Sequence, residues 1–196
     1  LDPDRKKMSK SKGNVITPID TINQYGSDAV RYWASSARLG TDTTYDENVF
    51  VIGNKLVTKL YNAAKFVLSH ESYHTYELTE LDSSFIRELS KLVDTVTVHY
   101  NKYQFAQGLQ ITEEFFWNTF TDNYLELVKK RVFNSEGDDK ASAVTCLRLG
   151  LSVVLRLLSP VMPTITDEIW SWCFYKEYNT VSIHESEWPA EKEFIK

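Results

Sequence analysis

Cysteine and glycine are scarce in this 196-residue chain, and each scarcity excludes a class of structure. The two cysteines, Cys146 and Cys173, are too few for a disulfide framework and lack the CxxC spacing of a metal site. We therefore predict two reduced, partly buried thiols. The seven glycines include no G-x-G pair, so a complete nucleotide-binding fold cannot be inferred from this chain.

Long apolar runs and a positive charge balance are also missing. No run approaches the length of a membrane span, and no charged and then apolar leader opens the chain. These absences predict a soluble, cytoplasmic protein with no membrane partner. The formal net charge is −5, so any contact with nucleic acid has to be local. The composition is otherwise that of a globular protein, with 42% hydrophobic and 25% charged residues.

One short stretch opposes this acidic balance. Five of the eight residues from Arg5 to Lys12 are cationic, and Ser9 and Ser11 place hydroxyl groups between the lysines. Such a field suits an anionic ligand such as phosphate, and Gly13 and Asn14 tolerate the backbone of a sharp turn. The alternative is a solvated basic loop. The interleaved hydroxyl groups favour the phosphate loop.

The pentapeptide Lys7-Met8-Ser9-Lys10-Ser11 is identical to the KMSKS signature of class I aminoacyl-tRNA synthetases, and the next three residues continue the likeness. The resemblance implies that these five residues bind ATP, accompanied by Mg²⁺, as the loop closes over the nucleotide during formation of the aminoacyl-adenylate. It also implies a catalytic role for Lys10, helped by Lys7, because cations at the α-phosphate and pyrophosphate stabilise the transition state.

The resemblance further implies that the chain is a fragment at both ends. In this family the fold that binds ATP and the amino acid carries a HIGH-type motif, and no such motif occurs in the chain. We expect ATP and the amino acid to be bound by a catalytic domain outside it. The chain alone is expected to bind tRNA, to hold no cofactor and not to catalyse.

Apolar periodicity predicts a mainly α protein. A short helix is expected from Pro18 to Tyr25, and a second helix, capped by Ser27 and Asp28, is expected to run to Leu39. Its predicted buried stripe comprises Ala29, Val30, Trp33, Ala34 and Ala37. For Asp28 and the exposed Arg31, the residues themselves predict only a cap and a surface cation.

Longer helices are predicted at about 47–69, 82–100, 105–134 and 143–158, with Asp82 and Ser83 capping the second of these. We interpret residues 1–42 as a small segment that holds the KMSKS loop and contacts the tRNA stem. Residues 43–196 are interpreted as an antiparallel helical bundle that binds the anticodon.

Several other segments resemble the subgroup of the family that charges aliphatic amino acids. Residues 25–33 match a Y-G-x-D-A-hydrophobic-R motif, and residues 159–170 match an H-P-x-x-P-F segment, with Ser159 and Thr164 in place of His and Phe. The Gly-x-Asp turn at 40–42 looks most like the valine enzymes. The resemblance therefore implies part of a monomeric enzyme whose partners are valine isoacceptor tRNAs. An isoleucyl or leucyl enzyme, or a free-standing tRNA-binding module, is the alternative.

Candidate tRNA contacts fall in two groups. The first surrounds the start of the long helix, and the second is a basic cluster after the aromatic-rich stretch: Thr44, Asn48, Lys55 and Lys59, then Lys129, Lys130 and Arg131. The basic cluster has a second interpretation, as favourable charge at a helix C-terminus. The aromatic residues between Phe115 and Tyr124 are predicted to form bundle core rather than a stacking platform for bases.

Residues His70 to His74 formally fit the HExxH motif of zinc hydrolases. That motif needs one continuous helix and a third ligand, whereas this stretch is polar and follows the end of the apolar pattern. Neither His99 nor His184 lies in a recognisable third-ligand motif. No metal site is predicted.

Overall fold

The computed structural model describes residues 1–73, 75 and 77–194, and these residues contain helices and no strand. The α-helices are α1 (Pro18–Tyr25), α2 (Ser27–Ser36), α3 (Glu47–Leu68), α4 (Glu80–Asn101), α5 (Phe105–Glu114), α6 (Glu126–Asn134), α7 (Gly137–Leu158), α8 (Pro163–Trp172) and α9 (Phe174–Glu177). A π-helix (Phe115–Leu125) joins α5 to α6, and short 3-10 turns occur at Lys10–Lys12, Ile183–Glu185 and Glu191–Glu193. The predicted mainly α fold is confirmed.

The helix α7 lies at the centre of the bundle and contacts α3, α4, α5, α6 and α8. By length and composition it is apolar enough to cross a membrane, so the predicted absence of such a run was wrong. In the fold, 89% of its apolar stretch is buried inside the structure. A helix that is apolar on nearly all sides is expected in the core of a bundle, and that is the position of α7.

A buried polar network around Asp82 fastens α4, the π-helix, α6 and α7 together. The side chain of Thr79 caps α4, so the predicted cap at Asp82 was wrong. The Asp82 carboxylate is fully buried and accepts hydrogen bonds from Arg131, Tyr124 and Ser142. Burial opposes its charge, but these donors outweigh burial and hold the pKa of Asp82 below its ordinary value.

The aromatic-rich stretch forms the π-helix, and its rings face the core. Phe116, Phe120 and Tyr124 are buried, while Phe115 and Trp117 are half-buried. The predicted role of these rings as bundle core is therefore confirmed. A π-helix of this length is unusual, and the residue pattern gave no sign that the turns would widen here.

The helices α1 and α2 carry the N-terminal segment onto α3. A Cβ at Gly53 of α3 would lie 3.1 Å from Ala29 Cα and 3.2 Å from the Tyr32 side chain, so a larger residue would crowd this close approach of α2 to α3. On the same side, the Phe50 ring stacks on Tyr25 at a centroid distance of 5.4 Å. The segment that holds the KMSKS loop is thus packed directly against the first long helix of the bundle.

The buried face of α2 differs from the predicted stripe. Asp28, Ala29 and Tyr32 are buried, whereas Ala34 is exposed. The prediction was wrong because polar groups of α2 are buried by hydrogen bonds to distant helices, such as the one from Tyr32 Oη to Glu113 of α5 at 2.7 Å. Periodicity counts apolar residues only and does not register such bonds.

The predicted capping of α2 by Ser27 and Asp28 was also wrong. The N-cap residue of α2 is Gly26, and no side chain accepts a hydrogen bond there. Asp28 instead accepts the backbone N–H groups of Thr164 (3.1 Å) and Ile165 (2.7 Å) in the first turn of α8.

Candidate nucleotide loop and nucleic-acid interface

A bracket of side chains closes the base of the KMSKS loop. Asp2 Oδ1 accepts the backbone N–H of Lys6 at 2.7 Å, and Asp2 Oδ2 accepts Asn14 Nδ2 at 2.8 Å. Asn14 Oδ1 in turn accepts the backbone N–H of Ser9 at 3.0 Å. Gly13 ends the 3-10 turn with a φ of 67°, a left-handed conformation that suits glycine. These contacts give the loop a defined shape.

The Asp2 carboxylate is held ionised by the same contacts. The backbone N–H of Lys6 and the side-chain amide of Asn14 lower the pKa of Asp2 and outweigh its desolvation. The sequence analysis missed Asp2, because one aspartate before a basic run carries no motif. Its pairing with Asn14, twelve residues along, is visible only in the fold.

The lysines assigned to ATP lie on the solvent side of the loop. Lys7, Lys10 and Ser11 are exposed, while Met8 and Ser9 are half-buried. In the part of the chain that the structure describes, neither Lys7 nor Lys10 forms a salt bridge. Both ammonium groups, each on a flexible stem, are therefore available to an anion. This arrangement fits a polyphosphate ligand.

Two of the candidate tRNA contacts flank the start of α3. Thr44 is half-buried, and its carbonyl accepts a hydrogen bond from Trp33 Nε1 at 3.2 Å. Asn48 is exposed, and its amide donates to Asp46 at 3.1 Å. Thr44 thus helps to join the N-terminal segment to the bundle, and Asn48 faces solvent.

The two lysines of α3 differ in their surroundings. Lys55 is exposed, and no salt bridge to it occurs among the described residues. Lys59 is half-buried, pairs with Asp122 of the π-helix at 2.9 Å and lies 4.7 Å from the ring centroid of Trp117. Lys55 therefore offers its charge to a ligand, whereas the charge of Lys59 is partly neutralised.

The basic cluster on α6 divides into two exposed lysines and one internal arginine. Lys129 and Lys130 are exposed. Arg131 points into the bundle, where its guanidinium bonds to Asp82 at 2.8 Å and to Asp139 at 2.7 Å. The hydrogen bond that Arg131 donates to Asp82 raises the pKa of Arg131. The contacts of Arg131 are thus with the protein itself.

An exposed aromatic side chain next to these lysines was missed by the sequence analysis. Phe133 is 60% exposed, and its ring contacts Phe66 at a centroid distance of 5.8 Å and His70 at 5.4 Å. These contacts place the C-terminal ends of α3 and α6 side by side. The available signal was an aromatic residue outside the apolar pattern of Val128 and Val132.

The HExxH match does not lie on a helix. The helix α3 ends at Leu68, and residues 71–73 are not helical, while His74 lies outside the described residues. Burial lowers the pKa of His70, which packs against aromatic rings. Across residues 1–73, 75 and 77–194, no group of three or more His, Cys, Asp or Glu side chains is arranged to hold a metal ion.

Comparison with known families gives two matches along the chain. Residues 1–46 match the class I tRNA synthetases for I, L, M and V. Residues 82–196, more than half of the chain, match the anticodon-binding domain of tRNA ligase. The chain belongs to the class I tRNA ligase family. The KMSKS loop of this tRNA ligase chain lies in the first matched region, and α5 to α9 lie in the second.

The curated relatives of this tRNA ligase chain include valine–tRNA ligases from three bacteria. The identity is 47% for Thermobifida fusca, 46% for Leifsonia xyli and 43% for Wolbachia pipientis wMel, over 98–100% of this chain. The predicted likeness to valine enzymes is confirmed. The chain spans about a fifth of the length of these relatives, 22–23%.

Among solved structures, the chain is similar to LeuRS of Agrobacterium radiobacter K84, which was solved in a ternary complex with tRNA and LeuAMS. The TM-score is 0.70 at 20% identity, over 100% of this chain and 24% of that chain. At this identity the likeness shows the fold alone. It agrees with the helical bundle described above.

Proposed function

We propose that this chain is the part of a valine–tRNA ligase that carries the KMSKS loop and binds tRNA. The whole enzyme would join valine to ATP as valyl-adenylate with release of pyrophosphate, and then transfer valine to tRNA with release of AMP. The proposal is carried by the 43–47% identity to valine–tRNA ligases along nearly the whole chain. We place the enzyme in the cytoplasm as a monomer.

In this proposal the KMSKS loop assists the first step. When valine attacks the α-phosphate, negative charge builds up on the phosphate oxygens and on the departing pyrophosphate. Lys10, helped by Lys7, stabilises that charge, and Met8, Ser9 and Ser11 complete the ATP contact. ATP, accompanied by Mg²⁺, and valine are substrates held mainly by a catalytic domain beyond these residues. The ammonium groups of Lys7 and Lys10 are exposed and form no salt bridge within residues 1–73, 75 and 77–194, which supports this role.

The second part of the proposal is a tRNA surface on the bundle, to which we assign residues 43–196. It comprises the exposed lysines Lys55 and Lys130, with Thr44 and Asn48 at its edge. Lys59 and Lys129 are weaker contributors, because they pair with Asp122 and Glu126. Lysines neutralise backbone phosphates, and an exposed ring such as Phe133 stacks on an unpaired base. The contact between α3 and α6 through Phe66 and Phe133 supports a single continuous surface.

The catalytic role is tested with Lys10→Ala in the full-length enzyme. Loss of one charge-assisted hydrogen bond made in the transition state slows the reaction by about 10 to 100-fold. We therefore expect valine-dependent pyrophosphate exchange to slow at least tenfold, with little change in tRNA affinity. The same exchange assay with isoleucine and leucine distinguishes the valine enzyme from its two relatives.

Lys12→Ala is the matched control, because it removes the same charge from the same 3-10 turn but lies outside the pentapeptide. We expect it to slow exchange less than Lys10→Ala does. Equal rates for wild type and Lys10→Ala would refute the role of Lys10. Wild-type exchange driven by isoleucine or leucine, and not by valine, would refute the valine assignment.

A further inference from the structure

Two side chains of α2 form hydrogen bonds with the turn between α7 and α8 and with the first residues of α8. Asp28, which is 6% exposed, accepts the N–H groups of Thr164 and Ile165 at 3.1 and 2.7 Å. One helical turn later, Arg31 donates from Nε to the carbonyl of Val161 at 3.0 Å and from a terminal nitrogen to the carbonyl of Pro160 at 2.8 Å. The motif at 25–33 and the segment at 159–170 thus form one contact.

The two bonds to Asp28 provide the helix cap that the turn itself does not supply, and the two from Arg31 hold the carbonyl groups of the turn. The first N–H groups of a helix have no partner within the helix, and Met162 at the N-cap of α8 makes no side-chain cap bond. A carboxylate at this position makes charge-assisted bonds and interacts favourably with the helix dipole. The guanidinium of Arg31 is a rigid fork that holds two carbonyl groups in a fixed direction.

The contact fixes how the loop-bearing segment sits on the bundle. Only α1 separates α2 from the KMSKS loop, and Tyr32 ties the same helix to Glu113 of α5 at 2.7 Å. The Asp28 and Arg31 contacts span 129 to 137 residues of sequence. A local role, such as capping α2, would not need partners this distant.

We propose that Asp28 and Arg31 are positioning residues that set the KMSKS segment in register with the tRNA-binding bundle, so that bound tRNA meets the adenylate correctly. This inference rests on the proposed function. Formation of the adenylate needs the loop but not tRNA, whereas transfer of valine needs both parts aligned. Small displacements of reacting groups cost large factors in rate, so the two steps should respond differently when the contact is removed.

The test uses Asp28→Ala and Arg31→Met in the full-length enzyme. We expect pyrophosphate exchange without tRNA to stay within twofold of wild type, and kcat/KM for tRNA charging to fall at least tenfold. Arg31→Lys keeps the charge but not the fork, so its charging should lie between wild type and Arg31→Met. A purely structural role would lower both activities together.

Asp167→Ala is the matched control. Like Asp28, Asp167 accepts two hydrogen bonds, here from the Ser182 hydroxyl at 2.6 Å and the Ile183 N–H at 3.0 Å. Unlike Asp28, it lies on α8, so these bonds join two parts of the bundle and do not involve the N-terminal segment. Its loss should lower thermal stability about as much as the loss of Asp28. We expect charging by Asp167→Ala to remain within twofold of wild type at a temperature below unfolding.

Amide hydrogen exchange gives a readout that does not depend on activity. In Asp28→Ala, the amides of Thr164 and Ile165 should exchange at least tenfold faster than in wild type. In Asp167→Ala, the same two amides should exchange at the wild-type rate. Unchanged exchange at these amides, unchanged charging, or a parallel loss of activation and charging would each overturn the positioning role. A wild-type enzyme that does not activate valine would instead overturn the proposed function.

Discussion

At the scale of single residues, Asp82 has the greatest consequence for stability. It is fully buried and bonded to Arg131, Tyr124 and Ser142, which come from three other helical segments. Breaking a buried ion pair by removing one partner leaves a charge without compensation, which destabilises far more than losing a surface pair. The sequence showed Asp82 only as a possible helix cap, since its partners lie 42 to 60 residues away.

We expect Asp82→Asn to lower the free energy of unfolding by about 3 kcal/mol, because the donors that surround this buried position, including the half-buried Arg131, lose the negative charge that they bind. Asp139→Asn is the control. Asp139 contacts the same guanidinium from an exposed position, and its loss should cost at most about 1 kcal/mol. Urea unfolding of the three proteins measures both values. Equal losses in the two variants would contradict the dominant role of Asp82.

The same carboxylate makes stability depend on pH. The pKa of Asp82 is lower in the folded protein than in the unfolded chain, so its stabilisation is complete above the unfolded value of about 4. That stabilisation is lost as the pH falls through the folded value. Urea midpoints measured from neutral pH downwards should fall more steeply for wild type than for Asp82→Asn. Parallel curves would show that other carboxylates control acid unfolding.

At the scale of helices, periodicity predicted the extents of α3 and α4 well and the buried face of α2 poorly. The bounds of α3 and α4 fell within about two residues of the structure, because apolar residues repeat clearly and helix starts carry acceptors. The face of α2 was wrong at Ala34, since α2 is oriented by polar bonds to α5 and α8. The KMSKS loop was found from its residues, whereas its Asp2 bracket depends on side-chain geometry that no local pattern records.

The contact between α2 and α3 gives a prediction at this scale. Gly53→Ala would improve helix propensity by about 1 kcal/mol, but the new Cβ would meet the backbone of Ala29 at 3.1 Å, which cannot move aside alone. We expect overpacking to win, with a net loss of about 1 kcal/mol or more. Thr58→Ala, at an exposed site of α3, should not destabilise. A higher melting temperature for Gly53→Ala would show that α2 readily shifts away.

At the scale of the whole molecule, an acidic protein carries local groups of exposed cations, and two of them are the KMSKS loop and the lysines of α3 and α6. In the proposed function, these two groups offset the repulsion between the net negative protein and tRNA at the surfaces of contact. The sequence could not show that Lys55 is available to a ligand while Lys59 is paired, because the partner of Lys59, Asp122, lies 63 positions away.

We therefore expect Lys55→Glu to weaken tRNA binding. The slope of log affinity against log salt concentration should become shallower by about one, the value for one lost phosphate contact. Lys59→Glu should have a smaller direct effect on that slope, because Asp122 already neutralises Lys59. Affinity measured by filter binding over a range of salt concentrations tests both variants. Identical slopes for wild type and Lys55→Glu would place the tRNA on another face.

The central position of α7 also matters while the polypeptide is being made. During synthesis, α7 leaves the ribosome before α8 and the turn at Ile183 exist to cover it. Until then, the apolar face of α7 that α8 covers is exposed on the nascent chain, even though α3 to α6 have already been made. A chaperone that binds α7 during that interval would prevent aggregation. For the same reason, an expressed fragment should extend beyond the 3-10 turns at Ile183–Glu185 and Glu191–Glu193.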